Sequence, residues 1–339
     1  MRKARIKMDN GSGFYHLISR VIEGRMALGN GEKQFFGKLM RLAEDFCGVR
    51  ILTYSIMTNH WHILVDVPQR QDISDPELIR RLKLLYSKEV VKDVQRQLEE
   101  LRKNGEEAYV RRLKERYTCR MYEVSEFVKL LKQRFTQWYN RKDGRRGTLW
   151  EDRFKSVLVE RSEKALATMA AYIDLNAVRA GMVKDPKDYR HCGYGEAVAG
   201  VKKAREGLGR VMLGLGQSGG WNKVGAEYRK YVYQSGGVKG VNEDGRSAKA
   251  GIPLEDVKKV LGENGKLGMG QALRCRVRYF SDGAVFGSKE FVNEVFKRNR
   301  AEFGLKRKTG ARQMKGGDFG GLCTMRALRL DVITVDKHD

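Results

Sequence analysis

Thiols are scarce and scattered. Five cysteines occur in 339 residues, at Cys47, Cys119, Cys192, Cys275 and Cys323, with no Cys-x-x-Cys spacing. An odd, dispersed set argues against a disulfide framework and against a thiolate zinc site, and fits a reducing cytoplasm. Long apolar runs are missing as well. No stretch is long enough to span a bilayer, there is no lipidation signal, and the basic Met1–Arg5 lacks the apolar core of a signal peptide. No internal repeat is present. Acidic residues are outnumbered, 42 Asp and Glu against 67 Lys and Arg, leaving a formal charge of +25. An excess of that size points to a polyanionic partner, nucleic acid before an anionic membrane surface.

Histidine is rarer still, with five in the chain, and two of them share the stretch Thr58-Asn59-His60-Trp61-His62-Ile63-Leu64-Val65-Asp66. A strand has a side-chain period of two, so His60 and His62 fall on one face and Trp61 on the other. Two imidazoles side by side are a simple way for one strand to offer two nitrogen ligands to a metal. A lone His-x-His is more often a pair of ordinary histidines, so the reading needs a third ligand and a nucleophile from elsewhere.

The neighbouring segments supply a frame. Phe14–Val21 reads as a strand, and residues 32–47 carry a helical apolar stripe closed by Gly48 as a C-cap. Arg50–Met57 is a second strand, joined to the histidine strand by a tight turn at Thr58-Asn59. Residues 69–125 hold 14 basic and 11 acidic residues with helical periodicity and read as an inserted, solvated helical pair. A core helix over 125–141 follows, with Ser125 as its expected N-cap. The basic loop Arg141–Gly147 comes next, then a strand over Arg153–Val159. The last helix is expected from Ser162 to about Ala180, stopped by Gly181. Its Tyr172 and Asn176 lie one turn apart on one face. The order β-α-β-β-α-β is that of a ferredoxin-like α+β sheet.

Four segments together resemble the single-tyrosine transposases of the His-hydrophobe-His class, in the branch called REP-associated tyrosine transposases. They are Phe14-Tyr15-His16-Leu17-Ile18-Ser19-Arg20, Met57–Val65, Leu149-Trp150-Glu151-Asp152-Arg153-Phe154-Lys155-Ser156, and Tyr172-Ile173-Asp174-Leu175-Asn176-Ala177-Val178-Arg179-Ala180-Gly181. They cover roughly residues 10–195 in the family's order. One departure is Ala177, where the family usually has proline. The resemblance implies cleavage and rejoining of single-stranded DNA at hairpin-associated sites through a 5′-phosphotyrosine. It makes Tyr172 the nucleophile and His60, His62 and Asn176 the metal ligands. The absence of thiolates among these ligands favours Mg²⁺ or Mn²⁺. Arg20, Arg145, Arg146, Arg153 and Lys155 are the expected grips on the DNA backbone.

Three other readings stay open: a non-catalytic DNA-binding regulator on the same fold, a replication-initiator-type nickase, and an RNA-binding module whose histidines merely pack. The chain is read as residues 1–195, a glycine-rich linker with loops over 196–250, and a basic, mainly helical C-terminal domain over 251–339. Helices are expected at 253–262, 268–280 and 288–297, the last with Ser288 as N-cap, and a helix-turn-helix around Ser281–Gly287. Residues 296–317 hold eight basic residues and one acidic, Lys306, Arg307, Lys308 and Arg312 among the basic ones, which suggests binding to duplex or hairpin stems and a part in choosing the target. A homodimer and a monomer are both compatible with the sequence.

Overall fold

The structure is a computed structural model and describes residues 5–8, 12–213, 220–234, 267–326, 328 and 332–334. It is α+β. Four strands form the frame: β1 (Gly13–Arg20), β2 (Arg50–Ile56), β3 (His60–Val67) and β4 (Lys155–Val159). In the sheet they lie in the order β2-β3-β1-β4, all antiparallel neighbours, which is the ferredoxin-like order. Between β1 and β2 runs α1 (Asn30–Cys47), ended by Gly48 at φ 68°, a left-handed conformation that a side chain resists.

The insertion is three helices rather than a pair: α2 (Asp75–Leu82), α3 (Lys88–Lys103) and α4 (Glu107–Thr118). Ser74 and Ser87 cap the first two through their side chains, accepting from Glu77 and Val90 N–H. Helix α5 (Val124–Lys142) returns to the sheet. Its N-cap is Glu123, not Ser125: the Glu123 carboxylate accepts from the Ser125 N–H and also binds Lys7. A carboxylate at a helix N-terminus gains from the dipole as well as the hydrogen bond. The last helix of the frame has two parts, α6 (Glu163–Asp174) and a single turn α7 (Asn176–Arg179), with Ser162 capping the first.

The two faces of the sheet bury different helices. On one, α1 and α5 cover Tyr15, Leu17, Ile51, Trp61, Ile63 and Val65. The other face carries Phe14, Leu64, Val157 and Val159 under α6, together with residues from much later in the chain. Much of the described part of 196–250, expected from its glycines to be a linker, is helical instead: α8 (Gly193–Val198) runs into it, and α9 (Lys202–Val211) and α10 (Gly220–Gln234) lie within it. The glycines serve packing. A Cβ at Gly207 would sit 2.5 Å from the Leu52 carbonyl oxygen, so only glycine lets α9 lie this close to β2.

The C-terminal region does not stand apart as a domain of its own. It contributes α11 (Met269–Leu273), β5 (Arg276–Val277), α12 (Arg278–Asp282), β6 (Val285–Gly287), α13 (Lys289–Arg298), β7 (Arg312–Gln313), β8 (Cys323–Thr324) and β9 (Ile333–Thr334). Strand β6 pairs parallel with β4, and β8 and β7 continue the same sheet to seven strands. The expected helix-turn-helix is therefore a helix-strand-helix, because Val285 and Phe286 are claimed by backbone pairing with Leu158 and Val159. The helix expected at 268–280 is broken by the extended pair Arg276–Val277, which bonds to β9. Ser288 caps α13 as expected, accepting from the Phe291 N–H. The helix expected at 253–262 lies outside the described residues. All five cysteines are free thiols. No described helix is long and apolar enough to cross a membrane.

Candidate active site

The period of β3 does what it should. Trp61 is fully buried against Phe36 and Trp150, and His60 and His62 turn to the opposite face. The turn that carries His60 is pinned from outside the hairpin. Val21 N–H donates to the Asn59 carbonyl, Leu28 N–H to the Thr58 carbonyl, and the Asn59 amide to the Gly24 carbonyl.

Hydrogen bonding fixes which nitrogen of each imidazole is bare. His16, two residues along β1 from the cross-strand partner of His62, holds its Nδ1 2.9 Å from the Phe280 carbonyl oxygen and its Nε2 2.8 Å from His62 Nδ1. A carbonyl only accepts, so His16 Nδ1 carries the proton, His16 Nε2 accepts, and His62 Nδ1 donates. That leaves His62 Nε2 with its lone pair. His60 Nδ1 lies 2.6 Å from Asn59 Oδ1, which by the same logic leaves His60 Nε2 bare. The imidazoles are neutral: burial first, then neighbouring positive charge from Arg20, Arg179 and Arg276, pushes His60 down to about 3, and burial pushes His62 well below its usual value. Two neutral imidazoles on one strand, each with a bare Nε2 and a partnered Nδ1, form a ready donor pair for a divalent metal.

Tyr172 stands beside His62 and His16. Its ring centroid is 6.3 Å from His62 and 6.4 Å from His16, edge-on to both, and 4.8 Å from Phe280. The Arg179 guanidinium carbon lies 4.0 Å above the phenol ring. Arg179 also donates to the Tyr172 carbonyl, to Asn176 Oδ1 at 2.5 Å and to the Leu273 carbonyl. The Asn176 oxygen keeps a second lone pair, and its amide nitrogen is buried with no partner among the described residues. The oxygen of Asn176, the expected third ligand, is thus held by a guanidinium. Among the described residues there is no group of three or more His, Cys, Asp or Glu that could form an all-residue cage. Tyr172 is 3 % exposed.

Asp174, on the same helix, anchors the site from below. Fully buried, it accepts from the Thr53 hydroxyl at 2.7 Å, from the Tyr228 hydroxyl and from the Tyr194 N–H. Burial raises its carboxyl to about 7. Its charge pattern gave no signal in the sequence, since a single aspartate in an apolar helix has many readings. His16 and Arg179 were inside the matching segments, yet their roles depend on Phe280 and Leu273, about a hundred residues or more away.

The basic residues spread widely. Arg20 is exposed and pairs across the ladder with His60. Arg153 and Arg146 are exposed, and Arg145 is half-buried over the Tyr139 ring. Lys155 is tied to Asp282 at 2.8 Å. In the C-terminal region Lys306 and Lys308 are exposed, but Arg307 is structural: it donates to the Thr309, Gly310 and Met325 carbonyls and stacks on Phe296 and Phe303. Surface depressions lie between α2 and α3 and beside Glu160 and Ser288, and none of the three histidines lines them. The chemistry of the donor pair marks the site better than concavity does, because Tyr172 and Phe280 fill the space beside it.

Residues 12–113 match the profile of the family described as transposase IS200 like, a span that takes in β1, both histidines and most of the insertion. The match covers the N-terminal third of the chain, and over that span the chain is similar to IS200-like transposases. A solved structure described as a REP-associated tyrosine transposase bound to a REP hairpin is also similar, at 15% identity and a TM-score of 0.34, over 59% of this chain and 85% of that one. No curated protein matches.

Proposed function

We propose that the chain is a transposase that cuts and rejoins single-stranded DNA through Tyr172, with His60, His62 and Asn176 holding Mg²⁺ or Mn²⁺. The observation that carries this reading is that Tyr172 lies edge-on to His62, 6.3 Å away, while His62 and His60, with ring centroids 5.1 Å apart, each keep a bare Nε2. A bound divalent ion would polarise the scissile phosphate and offset the charge growing on its oxygens. The residues do the rest. His16 and Asn59 hold the two imidazoles in the tautomers that present Nε2. Arg179 orients the Tyr172 ring and the Asn176 amide at once.

Attack of the phenol oxygen on phosphorus forms the 5′-phosphotyrosine bond and breaks the P–O bond to the 3′ oxygen, which leaves as a 3′-hydroxyl. The phenol proton is lost, and the phosphodiester energy is kept in the new link, so a second 3′-hydroxyl reverses the step. Because Tyr172 is 3 % exposed, a strand reaches the phenol only when the cover formed by Phe280 and Arg179 shifts. Hairpin-associated single strands are the expected substrate, on the strength of the sequence resemblance.

The test is a cleavage assay on hairpin oligonucleotides from the DNA flanking this protein's own gene, with and without Mg²⁺ or Mn²⁺. A metal-dependent covalent adduct that vanishes in Tyr172→Phe supports the reading. DNA binding with no adduct in either metal would favour a non-catalytic regulator, and an adduct surviving in Tyr172→Phe would name a different nucleophile.

A further inference from the structure

The C-terminal region reaches the site through two anchors. Leu273, at the end of α11, gives its carbonyl to Arg179 Nη1 at 2.8 Å. Phe280, in α12, gives its carbonyl to His16 and its ring to Tyr172. Between them, on the short ribbon β5–β9, lies Arg276, an exposed residue. Neighbouring cations are committed elsewhere, since Lys155 and Arg278 both bind Asp282. Arg276 faces Thr334 across its ladder, not an acid. It stands three residues after Leu273 and four before Phe280, the two points at which this region touches the site.

We propose that Arg276 binds a phosphate of the single-stranded DNA beside the His60–His62–Tyr172 site, so that the C-terminal region supplies part of the active site's own grip. The inference rests on the reading of the site as a DNA strand transferase. A guanidinium offers a planar, bidentate fork for a phosphate, and one held on a ribbon anchored at both ends keeps its place when a strand arrives. Arg20, cross-strand from His60, supplies a second cation from the sheet itself. The two halves of the chain would then meet on one phosphodiester backbone, one bringing the imidazoles and the tyrosine, the other an arginine and the carbonyl that sets His16.

The test uses the full chain and a fluorescent single-stranded oligonucleotide carrying a hairpin, titrated at several salt concentrations. Arg276→Ala is expected to weaken binding about tenfold and to lower the slope of log affinity against log salt by about 0.7, the loss of one single-strand phosphate contact. Arg276→Lys should keep most of the slope, with thermal unfolding unchanged in both variants. Single-turnover adduct formation should fall about 100-fold in Arg276→Ala, as when one transition-state donor is lost. Affinity and slope unchanged in Arg276→Ala and Arg276→Glu would overturn the proposal. If the wild type forms no adduct at all, the tyrosine reading fails, and the salt slope alone still decides for or against Arg276.

Discussion

The two faces of β3 were built by the same eight residues and do opposite work. One face presents Trp61, Ile63 and Val65 to α1 and α5, a region of apolar contacts. The other carries His60 and His62; His62 meets His16 and Tyr172, and those two meet Phe280, which lies 218 residues beyond His62. The first face holds the sheet together; the second holds lone pairs in place. A face made for packing tolerates any side chain of the right volume, whereas a face made for chemistry depends on which atom carries a proton.

This contrast can be broken from either side. The largest effect is expected on the polar face. Tyr172→Phe should lower covalent adduct formation by at least about 10³-fold while leaving thermal unfolding close to the wild type, since only one hydroxyl is removed. A comparable loss of stability in that variant would mean that the hydroxyl is structural. On the apolar face, Trp61→Ala should cost about 3–5 kcal/mol in chemical denaturation, because a fully buried indole between Phe36 and Trp150 leaves a cavity.

His16→Phe sharpens the comparison at its boundary. It keeps an aromatic ring on β1 and removes the acceptor that fixes His62 Nδ1 as a donor, so metal-dependent cleavage should fall about 10–100-fold, read as a rise in the metal concentration needed for half-maximal rate. An unchanged metal requirement would show that His62 needs no orienting partner. The smallest effect belongs to Gly48→Ala. At φ 68°, with a Cβ that would sit 2.7 Å from Arg81 Nη1, it should cost about 1–2 kcal/mol in stability and nothing in cleavage per folded molecule.

Much of the fold was legible because it is written in short-range periods. The alternation of β3, the helical stripe of α1 and its glycine stop, and the caps at Ser162 and Ser288 all depend on residues within a few positions of one another. The misreadings share a cause. Glycines over 196–250 resembled a linker, but Gly207 is there because α9 packs onto β2, a contact invisible in local composition. Val285 and Phe286 sat in a turn by pattern and form a strand because β4 offered a free edge. Arg307 counted as a surface charge, yet it is spent on three backbone carbonyls.

For the site, the sequence by itself determined that His60 and His62 share a face, that Tyr172 and Asn176 lie one helical turn apart, and that the chain is strongly cationic. Each follows from spacing or composition alone. Only the tertiary structure decided which imidazole nitrogen is bare, that Arg179 clasps both Tyr172 and Asn176, and that Phe280 and Leu273 reach the site from the end of the chain. Proton positions and pocket walls are set by hydrogen bonds and packing between residues distant in the chain, and a linear sequence carries no local signal of those distances.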